Sequence, residues 1–190
     1  MELLLDLSAS LGAIVAVAVG VVFAILALRL RQPVLALVSA AVVALGLLAI
    51  VIGWPALPVW GAASVVRVLL DLGIAALGVL GGGPLTLLVL QLAMRGDAAP
   101  GEHGGILVDA ETEKPREVLR GGATIGYLER VAILGGILAG HVEVVAAVIA
   151  LKGLGRFSEL DSGPARERFI IGTLVSFIWA CACAALVVLG

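Results

Sequence analysis

The sequence predicts an all-α integral membrane protein of about six transmembrane helical segments, and three observations carry that expectation. Apolar residues make up 62% of the 190-residue chain and charged residues only 14%. With a mean hydropathy of +1.20, this lies far outside the composition of a soluble globular domain. Apolar runs near the roughly 20 residues needed to cross a bilayer recur along the chain. Finally, lysine and arginine gather on one side of the membrane that such spans would cross. With the N-terminus placed outside, eleven of the twelve fall inside and only Arg67 falls outside, as the positive-inside rule expects.

Span 1 is read over Ala9–Leu28 and ends at Arg29 and Arg31. Glu2 and Asp6 stand where a secretory leader would carry positive charge, so this run is read as a span and not as a leader. Pro33 restarts the chain, and span 2 covers Val34–Gly53. The prolines of WPALPVW, residues 54–60, make a turn, with Trp54 and Trp60 suited to the headgroup level. Span 3 runs from Val66 to Met94, and Gly81, Gly82, Gly83 and Pro84 predict a kink or an interruption in it. Residues 96–122 are aqueous, with Ile106–Val108 expected to pair with Val118 and Leu119 as a small hairpin.

Segments 4 and 5, Ala123–Gly140 and Val142–Gly155, are short. About seventeen residues cover roughly 25 Å against a core of ~30 Å. They either span a thinned bilayer or form a re-entrant hairpin. The polar connector RFSELDSGPARER leads to span 6 over Phe169–Leu189. The chain thus divides into an N-terminal three-helix membrane region (1–95), a cytoplasmic loop (96–122) and a C-terminal three-helix membrane region with a charged hairpin (123–190).

Two charges in that hairpin form the leading candidate site. Counting from the polar break at His141, Glu129 lies twelve residues back and Lys152 eleven forward. If the break is a tight turn, the two reach the same depth, where a charge costs several kcal/mol unless paired or hydrated. The pair is read as a packing tie, a proton or ion relay, or part of a lipid-phosphate groove. Arg130, Arg156, Glu159, Arg166 and Arg168 are assigned to headgroup or partner contact on the same side. Gly136 and Gly140 form a GxxxG assigned to helix packing. On the outer face lie Arg67 and Asp71, spaced to share one helix side, and His141 with Glu143 at the hairpin tip.

Other chemistry is poorly supported. Cys181 and Cys183, two apart on one helix, point to nearly opposite sides and cannot pair, and no further ligands accompany them. His103 among Asp97, Glu102 and Asp109 matches no metal spacing. No HExxH, GxSxG, P-loop or aspartate-rich motif occurs, so the chain is expected to be no enzyme and to need no cofactor or metal. No basic run suits nucleic acid.

Residues 120–189 resemble the C-terminal region of an uncharacterised family of bacterial polytopic membrane proteins. IGYLER (125–130), ALKGLGRFSEL (150–160) and IGTLVSFIWA (171–180) carry the resemblance. It implies that Glu129, Lys152, Arg156 and Glu159 belong to one pattern, to which no chemistry is attached.

The expected role is that of an accessory or scaffolding subunit in a bacterial cytoplasmic membrane, both termini outside. Its partners would be membrane lipids and another membrane protein or a second copy. The alternative is a small transporter or ion or proton channel using the Glu129/Lys152 region. The charge split makes one prediction. In a background without Cys181 and Cys183, single cysteines near Glu2, at Gly104 and after Gly190 should label from outside, inside and outside respectively. Outside labelling at Gly104 would reverse the orientation.

Overall fold

Apolar runs without nearby water wind into helices because each backbone N–H and C=O must find its partner within the segment. The computed structural model describes residues 2–53, 65–93, 99–100, 106–108, 116–118, 122–156 and 163–190. Among them are six α-helices: α1 (Glu2–Leu30), α2 (Ala36–Val51), α3 (Val65–Ala93), α4 (Gly122–Leu138), α5 (Val144–Arg156) and α6 (Gly163–Leu189). Pro33 opens a 3-10 turn, Pro33–Leu35, at the start of α2, where its missing N–H would have been unpaired anyway. Four stretches are long and apolar enough to cross a membrane: Ser8–Leu30, Pro33–Val51, Val65–Ala93 and Arg166–Leu189. The all-α class and its six segments are therefore present, with α4 and α5 as the short members.

The loop between α3 and α4 contributes three short strands, β1 (Ala99–Pro100), β2 (Ile106–Val108) and β3 (Arg116–Val118), antiparallel in the order β1-β2-β3. Ile106 pairs with Val118 and Val108 with Arg116. Leu119, Trp54 and Trp60 lie outside the described residues, as do Asp97, Glu102, His103 and Asp109.

Glycines meeting bulky neighbours give the helix directions. On α1, Gly20 lies against Leu77 of α3 and Val42 of α2, and Val17 lies against Gly73, so α1 and α3 run parallel. Gly78 of α3 meets Leu134 of α4 and Cys183 of α6, Gly81 meets Trp179, and Gly82 meets Arg130. Hence α3 runs antiparallel to both α4 and α6. The starts of α1 and α3, the end of α6 and the α4–α5 turn share one end of the bundle, the turn end. The end of α3 and the starts of α4 and α6 share the other, the loop end. Helix α3 touches α1, α2, α4 and α6, whereas α5 packs chiefly on α4. One core cluster joins Ala24, Val43, Leu77, Leu134, Trp179, Cys183 and Ala184, and a second joins Ile133, Phe177 and Ala180. Between α1 and α2, the fully buried Ser39 donates its hydroxyl to the Gly20 carbonyl at 2.8 Å.

Of the two outcomes expected at residues 81–84, the interruption does not occur, since α3 continues through Pro84. The glycines before it are instead the surface on which Arg130 and Trp179 seat. The GxxxG reading also needs correction. Gly136 does pack: a Cβ there would lie 2.7 Å from Val144 Cβ. Gly140 does not, since nothing lies within 4 Å of its Cβ position. It adopts a left-handed φ of 83° and closes α4. The His141 N–H bonds the Gly136 carbonyl at 2.8 Å and the Gly140 N–H bonds that of Ile137 at 3.0 Å, the hydrogen-bond pair of a Schellman cap.

Two glycines on one helix should therefore respond oppositely to a methyl group. Gly135 is helical, with nothing within 4 Å of its Cβ position, so Gly135→Ala should raise stability by about 0.5–1 kcal/mol. Gly140→Ala forces a side chain into the left-handed region and should lower stability by about 1 kcal/mol. Thermal unfolding of the detergent-solubilised variants measures both, and equal shifts would contradict the cap.

Candidate functional site

Glu129 and Arg130 are consecutive on α4, so their side chains leave the helix about 100° apart and turn to different neighbours. Glu129 turns to α5, where its Oε2 accepts from Lys152 Nζ at 2.5 Å. The lysine side chain is 17% exposed and the glutamate 9%. On α5, Lys152 continues the inward stripe of Val145 and Val148, which pack on the Ile133–Phe177–Ala180 cluster at helical spacing. Its ammonium also lies 5.5 Å from the ring centroid of Phe177 and 5.8 Å from that of Phe169, both on α6. Aromatic faces attract a cation at such distances. One lysine thus holds the peripheral helix to both α4 and α6.

Arg130 turns the other way and is only 3% exposed. This corrects its assignment to headgroup or partner contact: the side chain lies inside the bundle. Its Nε donates to the Val79 carbonyl of α3 at 2.8 Å and its Nη1 to Ser176 Oγ of α6 at 3.0 Å. The Tyr127 ring centroid lies 5.0 Å from Cζ. Glycine makes this approach possible, because a Cβ at Gly82 would meet Arg130 Cδ at 2.6 Å. Trp179 uses the same surface: its indole N–H donates to the Leu77 carbonyl at 3.2 Å, and its ring lies 2.7 Å from where a Cβ of Gly81 would stand. Donors from two helices therefore converge on carbonyls within one stretch of α3.

Sequence reasoning missed Ser176, Trp179 and the two carbonyls. The GGGP run at 81–84 was the available signal, since side-chain-free backbone is where a bulky donor can dock.

The remaining candidates occupy other places. Arg67 pairs with Asp71 on one side of α3, Nε to Oδ1 at 3.0 Å, and its Nη2 also donates to the Val187 carbonyl at 2.6 Å. It thus ties the start of α3 to the last turn of α6, where a cation also suits the helix dipole. His141 Nδ1 and Glu143 Oε1 lie 3.0 Å apart in the exposed α4–α5 turn. The backbone N–H of Glu143 and the His141 ring hold its carboxyl below the usual carboxylate range. Arg166 is exposed and Arg168 half-buried in the first turns of α6. Arg156 closes α5, and Glu159 lies outside the described residues. Cys181 and Cys183 are free thiols. No set of three His, Cys, Asp or Glu able to hold a metal occurs among the described residues.

The result is a polar layer within α3–α6, built from Glu129, Arg130, Lys152 and Ser176. It can fix helix register, since its hydrogen bonds tie α4 to α3, α5 and α6. Comparison with protein-family models, curated proteins and solved structures finds no match for the chain.

Because the Glu129–Lys152 pair is largely withdrawn from solvent, losing one partner leaves the other charge uncompensated. Glu129→Gln or Lys152→Met alone should cost about 3 kcal/mol, and combining them should recover much of that loss. Thermal unfolding in detergent measures the cycle; strictly additive losses would show that the two groups are not coupled.

Proposed function

We propose that this chain is a non-enzymatic polytopic membrane protein serving as an accessory or scaffolding subunit, packed against another membrane protein or a second copy of itself. In this reading it resides in a bacterial cytoplasmic membrane with both termini outside and the 96–122 loop inside, where basic residues meet lipid headgroups. The observation that carries it is the inward turn of the intramembrane charges. Lys152 is partnered by Glu129, and Arg130 by Val79 and Ser176. The outer side of α5 is left apolar, with Ile149, Leu151 and Leu154 exposed by 49%, 71% and 80%. Charges used this way set register and leave an apolar exterior suited to lipid and to helices of a partner.

The transporter or channel alternative draws on a different observation, the residual exposure of the Glu129–Lys152 pair. A relay needs a charged pair that is not sealed off, and these side chains keep 17% and 9% exposure.

Crosslinking and flux separate the two. In the cysteine-free background, Leu151→Cys or Leu154→Cys should crosslink to a partner chain or a second copy in native membranes, whereas the inward Val148→Cys should not. Lys152→Met should leave that crosslink largely intact. Proteoliposomes of the isolated chain should carry no proton or ion flux. A flux that Glu129→Gln abolishes would replace the accessory reading with the transporter reading.

A further inference from the structure

We infer that the groove between α2 and α6 holds one acyl chain of an anionic phospholipid, whose headgroup lies at Arg168 on the loop end. Ala40, Ala44 and Leu47 of α2 and Val175, Trp179 and Ala182 of α6 line this groove, which has a volume of about 290 Å³. That is roughly twice the ~150 Å³ of an apolar cavity that takes one benzene. Every lining side chain is aliphatic except Trp179, and its indole N–H already donates to the Leu77 carbonyl. Nothing in the groove is left to bond a polar ligand, so its occupant is hydrocarbon.

Shape separates a hydrocarbon chain from a helix. The groove extends from Ala40 to Leu47 on α2 and from Val175 to Ala182 on α6, or about 10 Å along each helix at 1.5 Å per residue. Its volume over that length leaves a cross-section of about 30 Å², less than half that of a helix about 10 Å across. A partner helix could insert only single side chains, whereas an extended chain fits lengthwise. The direction also suits a lipid tail. Helix α1 starts at the turn end, so α2 starts at the loop end, as α6 does, and the groove follows the bundle axis. Alanine keeps it open: longer side chains at Ala40, Ala44 and Ala182 would close it over the buried Val43 and Trp179.

Charge at the loop end chooses the lipid. Arg168 precedes Val175 by seven residues on α6, which puts it about 10 Å nearer the loop end and within about 20° of the same helix face. Its side chain is half-buried, and it stands five residues inside the start of α6, a depth from which a long basic side chain reaches the headgroup level. Its neighbour Glu167 leaves the helix about 100° away. Arg31, exposed where α1 passes to α2, adds a second positive charge at this end. Cations there favour an anionic headgroup over a zwitterionic one, while the tail of either fits the groove. The inference rests on the membrane-embedded reading of the bundle and not on the accessory role, since the crosslinks that test that role lie on α5.

Trp179 provides the readout. The chain has three tryptophans, so Trp54→Phe with Trp60→Phe leaves the groove residue as the sole emitter. The full chain, delipidated in maltoside, is titrated with phosphatidylglycerol brominated in its acyl chains, and in parallel with brominated phosphatidylcholine. Phosphatidylglycerol should quench Trp179 saturably, and phosphatidylcholine should need about fivefold more lipid. Arg168→Gln should remove that preference and leave the phosphatidylcholine curve unchanged. Ala44→Phe, at an exposed position, should fill the groove and abolish saturable quenching by either lipid at unchanged helix content. Should that variant misfold, the two titrations of the unfilled groove still decide. Quenching that never saturates, or curves that coincide for the two lipids, would overturn the inference, as would saturable quenching that survives Ala44→Phe. So would crosslinking of Ala44→Cys to a protein chain in native membranes, which would assign the groove to a helix.

Discussion

The seat of Arg130 on the backbone of α3 is the constraint from which the rest of the bundle follows. A guanidinium withdrawn from water and carbonyls on a side-chain-free helix surface each need partners, and unmet polar groups are costly in apolar surroundings. They meet because Gly81 and Gly82 let Trp179 and Arg130 come within contact of the helix. Once Arg130 Nε is bonded to the Val79 carbonyl, the axial position of α4 along α3 is fixed. Its neighbour Glu129 is then fixed in depth, and so is Lys152 on α5. Ser176, on the far side of the same guanidinium, holds α6 to that level, and Trp179 repeats the tie one turn away through Leu77.

Around this seat, glycine supplies the close packing that helices need wherever their surroundings are as apolar as their own side chains. Apolar side chains gain nothing from leaving an equally apolar solvent, so close contact and dispersion must supply the attraction. Gly46 faces Leu186, Gly73 faces Val17, Gly78 faces Leu134 and Cys183, and Gly136 faces Val144. In each case a branched or bulky side chain fills the place a Cβ would take. These contacts account for Gly46, Gly73, Gly78 and Gly136 standing inside long helices, whose intrinsic preference for alanine over glycine is about 1 kcal/mol per residue.

What was legible in the sequence was depth, and what was not was direction around the helix. Counting outward from His141 placed Glu129 and Lys152 level because a short turn and a common rise per residue make the two legs comparable. Its place among basic residues on one side set Arg130 beside the headgroups, but one residue changes depth by only about 1.5 Å and turns the side chain by about 100°. Only the position of α3 decides whether that turn leads out or in. Gly136 and Gly140 look alike in a GxxxG, and the Schellman hydrogen bonds that separate them depend on where α4 ends. Arg67 was readable as a partner of Asp71 by spacing, but its bond to Val187, 120 residues away, needed the helix order of the whole bundle.

The arrangement of α4 and α5 also shows what a buried ion pair adds to such a bundle. Apolar residues of similar volume are often as stabilising as a buried pair or more so, so stability alone does not account for Glu129 and Lys152. Register does. The contact of Gly136 with Val144 is one small residue against one branched one, and a slide of α5 along α4 by one turn would bring another small residue of the same face, Ala132 or Ala139, opposite its valines. Glu129 and Lys152 lie seven residues from Gly136 and eight from Val144 respectively, two turns along each helix. Slipping α5 by one turn would move the ammonium about 5.4 Å from its carboxylate and away from Phe177, leaving both charges unpaired. The steric contact permits several registers, and the charge pair selects one of them.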